Sequence, residues 1–470
     1  MIAAWAVQRW SGTWPFGSDN DEYRLVAREL LDSGRPVVAD VEGTKYPLGY
    51  PLVLAALNVV GLPVTRAALA LNLVLLGALA AAVAATARSL APRAASLPAA
   101  LYAVTGAGIW GSAFVTMPDV AFVVVAAAVL WWCGRLRRAR DVWVLVALVV
   151  AATLLKSVGV LVAAAASVAV ACAAPPVRRL AWGPLAGGLA VAAATALLVA
   201  PHPEHTTGYA QTFWLADPAD ATKGRIGLLE LPERLADRVH LVLQDLEAAV
   251  VGPHVARPWS WLLVAVLLAA GVRAVWGDRS RRGHVLAFLA VWLPAMAVWP
   301  YASVRFQLPL VPIAALGVGW LVATAVRRLG RPVGTAVVVA ALATSLWTSA
   351  AQVRRDATNE AATVGLVADD AAEAAAWAAD TIPEGDVIAS FAYREVAYRV
   401  EQPVVPLGYT SDLERLEEQA DAAGARWLVV MPTLYGARGG LERTFLVEHA
   451  ERLRLAHATP TVETYELLPG

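Results

Sequence analysis

Apolar runs of about 15 to 21 residues, parted by short polar turns, fill most of the first 350 positions, and such runs read as membrane-crossing helices. They fall at 67–87, 94–110, 119–133, 142–155, 157–174, 181–200, 259–276, 284–300, 306–326 and 333–349. Several are short for a crossing, but they are dense in Ala, Val and Leu and flanked by Trp, as belts at the membrane interface are. Two other segments have a different pattern. Residues 50–62 are apolar yet too short to cross, which predicts a helix lying in the interface. From Leu228 to Val250, apolar positions 228, 231, 235, 239, 242, 243, 246 and 250 recur at helical spacing, with Glu230, Glu233, Arg234, Asp237 and Arg238 between them. That predicts a second, amphipathic interfacial helix. Beyond 367 the pattern changes again: Val387–Ser390 and Trp427–Val430 predict strands among acidic, Ala-rich helices. The chain therefore divides into a polytopic helix bundle, 1–350, and a small α/β domain, 351–470, mainly α overall.

The turns Arg135-Leu136-Arg137-Arg138, Arg178-Arg179, Arg279 to Arg282 and Arg327-Arg328 recur at every second turn. Arginine-rich turns stay on the cytoplasmic side, so parity places 11–65, 111–118, 201–258, 301–305 and 350–470 outside. The N-terminal segment then lies outside although Met1 to Trp10 is too short to span, and it has neither the basic start nor the cleavage site of a signal peptide. A truncated first span, with Ile2–Val7 as its outer end, would reconcile the two. An upstream in-frame stretch of about 15 apolar residues would show it, and a stop codon directly before Met1 would exclude it.

Composition supports the membrane class: the chain is 58% hydrophobic and only 16% charged, with a mean hydropathy of +0.56. Formal net charge is zero, which argues against a nucleic-acid partner. Cys133 and Cys172 lack ligand spacing and read as buried free thiols. Arginine is the default cation, and lysine occurs only at 45, 156 and 223. With the Ala and Val excess, that skew points to a GC-rich genome such as an actinobacterium's. Where arginine is the default, a retained lysine hints at a need for a compact charge.

Candidate chemistry gathers in the outer segments. Gly17-Ser18-Asp19-Asn20-Asp21-Glu22-Tyr23 opens an amphipathic helix, so its acids serve either as an N-cap and first-turn complement to the helix dipole or as a general base. Asp119, in Thr116-Met117-Pro118-Asp119, is either a helix cap or a second acid at the mouth of a span. Lys156 divides two apolar runs and Arg305 begins another, each either a snorkelling cation or a grip for a lipid phosphate. His202 and His205 flank Pro203-Glu204, but no further ligand cluster accompanies them, so no metal site is assigned. No Walker, GxSxG or dinucleotide motif is placed where it would work, which argues against ATP-driven transport in this chain.

Taken together, Asp19-x-x-x-Tyr23-x-x-x-Ala27-x-x-Leu30, Gly34 and Lys45-Tyr46-Pro47-Leu48-Gly49-Tyr50-Pro51 resemble the first outer loop of the GT-C glycosyltransferases, in the protein-mannosyltransferase and lipid A aminoarabinose-transferase branch. In that branch the loop follows a first span and a juxtamembrane helix precedes the second. Thr116 to Asp119, Leu154-Leu155-Lys156-Ser157 and Arg305-Phe306-Gln307-Leu308-Pro309-Leu310-Val311-Pro312 continue the resemblance, with Phe306 where the family carries tyrosine. It spans roughly 11–350. It implies a GT-C-like bundle, a polyprenyl-phosphate sugar donor, a glycan, lipid or protein acceptor, and transfer on the outer face of the plasma membrane. It makes Asp19 the loop aspartate that activates the acceptor and Asp119 the later loop carboxylate, both catalytic, with Lys156 and Arg305 on the donor phosphate. Asp21, Glu22, Tyr23, Lys45 and Tyr50 join them as substrate-binding candidates. Three acids in close succession leave open which faces the site, and spacing to Tyr23 favours Asp19. Metal dependence varies across the superfamily, so a divalent cation stays open. Two rival classes remain: a transporter or flippase for a lipid-linked sugar, which would show inverted repeats that are not evident here, and a membrane scaffold, which would leave the acidic loop idle.

Overall fold

The computed structural model describes residues 18–38, 41–42, 46–90, 95–113, 115–198, 209–217, 220–252, 258–301, 303–330, parts of 332–354, 369–408, 412–431 and 437–468. The segment expected to end a first span, along with Lys45, His202 and His205, lies outside these residues.

The described residues of each apolar run from 67–87 to 306–326 are largely helical, because Ala-, Leu- and Val-rich segments in an apolar surround satisfy their backbone groups only within themselves, and Pro294 lies inside the run 284–300 without ending its helix. The helices are α1 (Ser18–Asp32), α2 (Gly49–Val59), α3 (Val64–Leu90), α4 (Ser96–Thr105), α5 (Asp119–Cys133), α6 (Ala139–Leu155), α7 (Gly159–Ala171), α8 (Gly183–Leu198), α9 (Leu231–Val250), α10 (Trp259–Ala274), α11 (Arg279–Val298) and α12 (Val311–Leu329). The run 94–110 is broken at Gly106, which is extended between α4 and the short helix Ala107–Ala113. Among the described residues, three helical stretches are both long and apolar enough to cross a membrane by length and composition: Val64–Leu90, Pro175–Leu197 and Val304–Leu329. Helices such as α5 and α7 are apolar but shorter, and at 1.5 Å per residue they reach about 20 to 23 Å, less than the roughly 30 Å of a hydrocarbon core.

The bundle core is continuous. It runs from Leu79 and Val83 of α3 through Phe122 and Val129 of α5 and Leu145 of α6 to Trp292 of α11 and Leu316 of α12. Helices α10 and α12 approach so closely that a Cβ on Gly317 would overlap the Leu267 carbonyl, so glycine is required there. Helix α9 is the amphipathic helix that the sequence pattern predicted, and it lies against α11. Arg281 of α11 donates to the Trp131 carbonyl of α5 at 3.2 Å, and Gly283 lies beside Cys172, so three of the turn regions meet at one end of the bundle. The turns before α5, between α6 and α7, and before α12 meet at the opposite end.

The C-terminal region adds helix α13 (369–381) and a five-stranded sheet. Its strands are β1 (Val387–Ser390), β2 (Val404–Pro406), β3 (Ala425–Val430), β4 (Leu453–Ala458) and β5 (Glu463–Leu467), in the order β2-β1-β3-β5-β4. The first three are parallel, joined through α14 (Tyr393–Ala397) and α15 (Leu413–Ala422), and β5 and β4 add antiparallel. Both strands expected from the sequence are present, as β1 and β3.

Candidate active site

The site is assembled where four chain segments converge at one end of the bundle. Asp19 is the second residue of α1 and lies with Asp21 in its first turn, beside the positive end of the helix dipole. Arg305 belongs to the short helix Val304–Gln307 that leads into α12, and its guanidinium pairs with one oxygen of Asp19. The Tyr46 hydroxyl donates to the other oxygen. The second nitrogen of Arg305 rests 2.8 Å from the Met117 sulfur. Asp19 thus has both oxygens engaged by side chains more than 25 positions away in sequence.

A second pair lies alongside. Lys156, in the turn between α6 and α7, donates to Asp119 at 2.6 Å, with side chains 13% and 2% exposed. Asp119 is the first residue of α5, beside the positive end of that helix's dipole. Burial pushes the Lys156 ammonium below the ordinary lysine range, only partly opposed by Asp119. The Phe306 ring lies near both cations: its centroid is 5.1 Å from the Lys156 nitrogen and 5.6 Å from the Arg305 guanidinium carbon. Trp292, fully buried, donates to the Phe306 carbonyl at 3.0 Å and so fixes the turn that presents Arg305.

Helix α2 closes the third side. Gly49 begins it, and a Cβ there would come within 2.6 Å of the Leu154 carbonyl, so glycine lets the helix seat directly against the Lys156 turn. Tyr23, Tyr46 and Tyr50 pack with Leu54 and Ala55 as one apolar wall; the Tyr23 and Tyr50 rings meet edge to face at 5.5 Å. The Tyr50 hydroxyl is wholly buried and makes no hydrogen bond among the described residues. Burial first, and then the Asp119 charge, push that hydroxyl well above its ordinary value, so it stays a proton donor.

Of the candidates named from sequence, Asp19, Asp119, Lys156, Arg305, Tyr23 and Tyr50 come together. Asp21 and Glu22 face other partners: Asp21 pairs with Arg24 at 3.2 Å, and Glu22 pairs with Arg394 of α14 at 2.8 Å. Sequence reasoning passed over Tyr46 as the ligand of Asp19, although it stood in the quoted Lys-Tyr-Pro run. It also passed over Arg394, for which no sequence signal existed. Among the described residues no three His, Cys, Asp or Glu side chains converge as a metal-ligand set. A divalent cation at this site would compete with Arg305 and Lys156 for the two carboxylates.

Two carboxylates, each bridged to a cation and flanked by buried phenols, form a nearly neutral cluster. A phosphate arriving here would find two cations it can recruit, and the recruitment would release a carboxylate to act as a base.

No protein-family model and no curated protein matches the sequence. Solved structures do match its fold. ArnT from Cupriavidus metallidurans, solved both in the apo state and bound to undecaprenyl phosphate, is 15% identical with a TM-score of 0.61 over 99% of this chain and 97% of that one. The archaeal oligosaccharyltransferase AglB from Archaeoglobus fulgidus, in complex with an inhibitory peptide and a dolichol-phosphate, is 12% identical with a TM-score of 0.57, over 88% of this chain and 66% of that one. The chain has the fold of the GT-C superfamily, to which both neighbours belong.

Proposed function

We propose that this chain is a membrane glycosyltransferase that moves a sugar from a polyprenyl-phosphate donor to an acceptor hydroxyl on the extracytoplasmic face of the plasma membrane, with inversion. The observation that carries the proposal is the pair of bridges Asp19–Arg305 and Asp119–Lys156, side by side about the Phe306 ring. The ArnT structure that shares the fold is bound to undecaprenyl phosphate, which supports a donor of that class.

In the donor-free site Arg305 is spent on Asp19. A donor phosphate draws Arg305 and Lys156 to its oxygens, and the Asp19 carboxylate becomes available to the acceptor. The acceptor oxygen attacks the anomeric carbon while the bond from that carbon to the phosphate oxygen breaks. The electron pair leaves with the phosphate, and the acceptor proton passes to Asp19. Attack opposite the leaving group inverts the anomeric centre. The two cations stabilise the charge growing on the phosphate, and prearranged charge of this kind usually lowers the barrier more than any other single effect. A positioned base adds about 10²- to 10⁴-fold. Asp119 holds Lys156 in place, and Tyr50 supplies a buried donor beside it. Lys45, next in sequence to Tyr46, adds a further cation to the segment that reaches Asp19.

Membranes containing the chain, supplied with radiolabelled polyprenyl-phosphate mannose or arabinose, provide the test. Asp19→Asn should abolish transfer while undecaprenyl phosphate still binds. Equal transfer by wild type and Asp19→Asn would remove Asp19 as the base, and lipid crossing the bilayer without any new glycosidic bond would make the chain a flippase.

A further inference from the structure

Helix α1 has two loyalties. One face, Tyr23 and Ala27, belongs to the wall of the site with Tyr46 and Tyr50. The other face, Leu25 and Val26, is buried in the core of the C-terminal domain with Ala371, Ala378, Ile388, Val429, Met431 and Val462. Val429, Met431 and Val462 lie at the carboxyl end of β3 and at the start of its antiparallel neighbour β5. Helix α14, which leaves the carboxyl end of β1, packs against α1. The connection from β1 turns toward β2, whereas the chain after β3 turns the other way, toward β5 and β4. Carboxyl ends that diverge in this manner form the crevice in which open α/β sheets bind their ligands. Here a segment of the same chain is buried beside it.

The contacts that lock α1 there are polar and closely spaced. Arg394 of α14 pairs with Glu22 at 2.8 Å, with side chains 7% and 3% exposed. Arg28 donates to the Ala397 carbonyl at 3.3 Å, and the Arg24 guanidinium lies 5.1 Å from the Tyr398 ring centroid. Glu22 is three residues from Asp19, so the two share one face of the helix, one turn apart. Rotation of α1 about its axis therefore carries Asp19 with it. The nonpolar contacts of Leu25 and Val26 set how deep the helix sits, but apolar packing alone tolerates small rotations. The Arg394–Glu22 ion pair, buried and 2.8 Å apart, adds a direction to that packing, because its attraction falls as the two charges are turned away from each other.

We infer that Arg394 is a positioning residue: through Glu22 it fixes the rotation of α1 and so aims the Asp19 carboxylate, making the C-terminal domain a clamp on the catalytic loop. The inference rests on the glycosyl-transfer reading for its consequence on rate, but the clamp itself is measured independently. A base displaced by about 1 Å loses on the order of 10²-fold in rate. Arg394→Met should lower kcat about 100-fold with the donor KM nearly unchanged, and Arg394→Lys should recover part of the loss. In the full chain in nanodiscs, Arg394→Met should also speed amide hydrogen exchange across 18–32 while exchange in α3 to α12 stays at the wild-type rate. Glu22→Gln, which leaves every residue of the C-terminal domain intact, should reproduce both effects and thereby separates the clamp from simple unfolding of that domain. Unchanged exchange across 18–32 in Glu22→Gln would overturn the clamp, as would a fall in kcat matched by lost binding of undecaprenyl phosphate. A wild-type chain that transfers no sugar defeats the transferase reading alone, because the exchange experiment still decides the clamp.

Discussion

Replacing Lys156 by Met separates what the buried ion pair does for folding from what it does for transfer. The substitution keeps most of the side-chain volume and removes the charge, leaving the Asp119 carboxylate 2% exposed without its cation. Breaking a buried pair in this way costs about 3 to 5 kcal/mol. Asp119 opens α5, where the helix dipole offsets roughly 1 kcal/mol of that loss, so destabilisation of about 2 to 4 kcal/mol is expected. Adding Asp119→Leu removes the stranded charge and should restore most of the stability, since buried pairs exchange for apolar groups at little net cost. Transfer should behave differently. A lost cation at the developing phosphate charge lowers kcat by about 10²- to 10³-fold, and the double variant should stay as inactive as Lys156→Met despite its recovered stability. Thermal unfolding in detergent and radiolabelled-sugar transfer, run on the same preparations, provide the two readings. A double variant that is stable and transfers at the wild-type rate would refute the assignment, because the pair would then be structural only.

Burial of Lys156 also sets a pH dependence. Its ammonium loses its proton below the ordinary lysine range, so donor-phosphate binding should weaken as pH rises through that lowered value and be fully present below it. Lys156→Arg, which stays charged, should move the alkaline limb of the rate profile upward; an identical limb in both proteins would assign it to another group. Tyr46→Phe removes the hydroxyl that donates to Asp19, and a hydrogen bond to a charged group is worth about 1.5 to 3 kcal/mol. Transfer should fall about 10- to 100-fold with expression unchanged, and a wild-type rate would mean that Arg305 alone orients Asp19. Gly49→Ala places a Cβ within 2.6 Å of the Leu154 carbonyl and should destabilise the chain by about 1 to 3 kcal/mol, read as a lowered melting temperature.

The membrane class, the helix positions and the strands β1 and β3 were legible in the order of residues, because apolar runs and their lengths are local properties. Asp19, Asp119, Lys156 and Arg305 were also singled out, since charges at the ends of apolar runs stand out against them. Their partnership was not legible. Arg305 meets Asp19 across 286 positions, and Lys156 meets Asp119 across 37. The tyrosine run gave Tyr23 and Tyr50 as candidates but did not show that Tyr46 would hold the acid. Glu22 and Asp21 looked equivalent to Asp19 in a row of acids. Asp21 points away because residues two apart on a helix lie about 200° apart, whereas Glu22 shares Asp19's face one turn on and differs only in its partner, Arg394.

Local composition and periodicity by themselves determined that this chain lives in a membrane, that it ends in a small α/β domain, and which charged residues stand where apolar helices begin and end. Only the tertiary structure decided that those charges pair as two bridges about Phe306, and that α1 is shared between the bundle and the C-terminal domain. The reason is physical. Hydrophobic patterning acts over a few residues and does not name its partner, whereas an ion pair exists only where the whole chain's packing brings two distant side chains within reach.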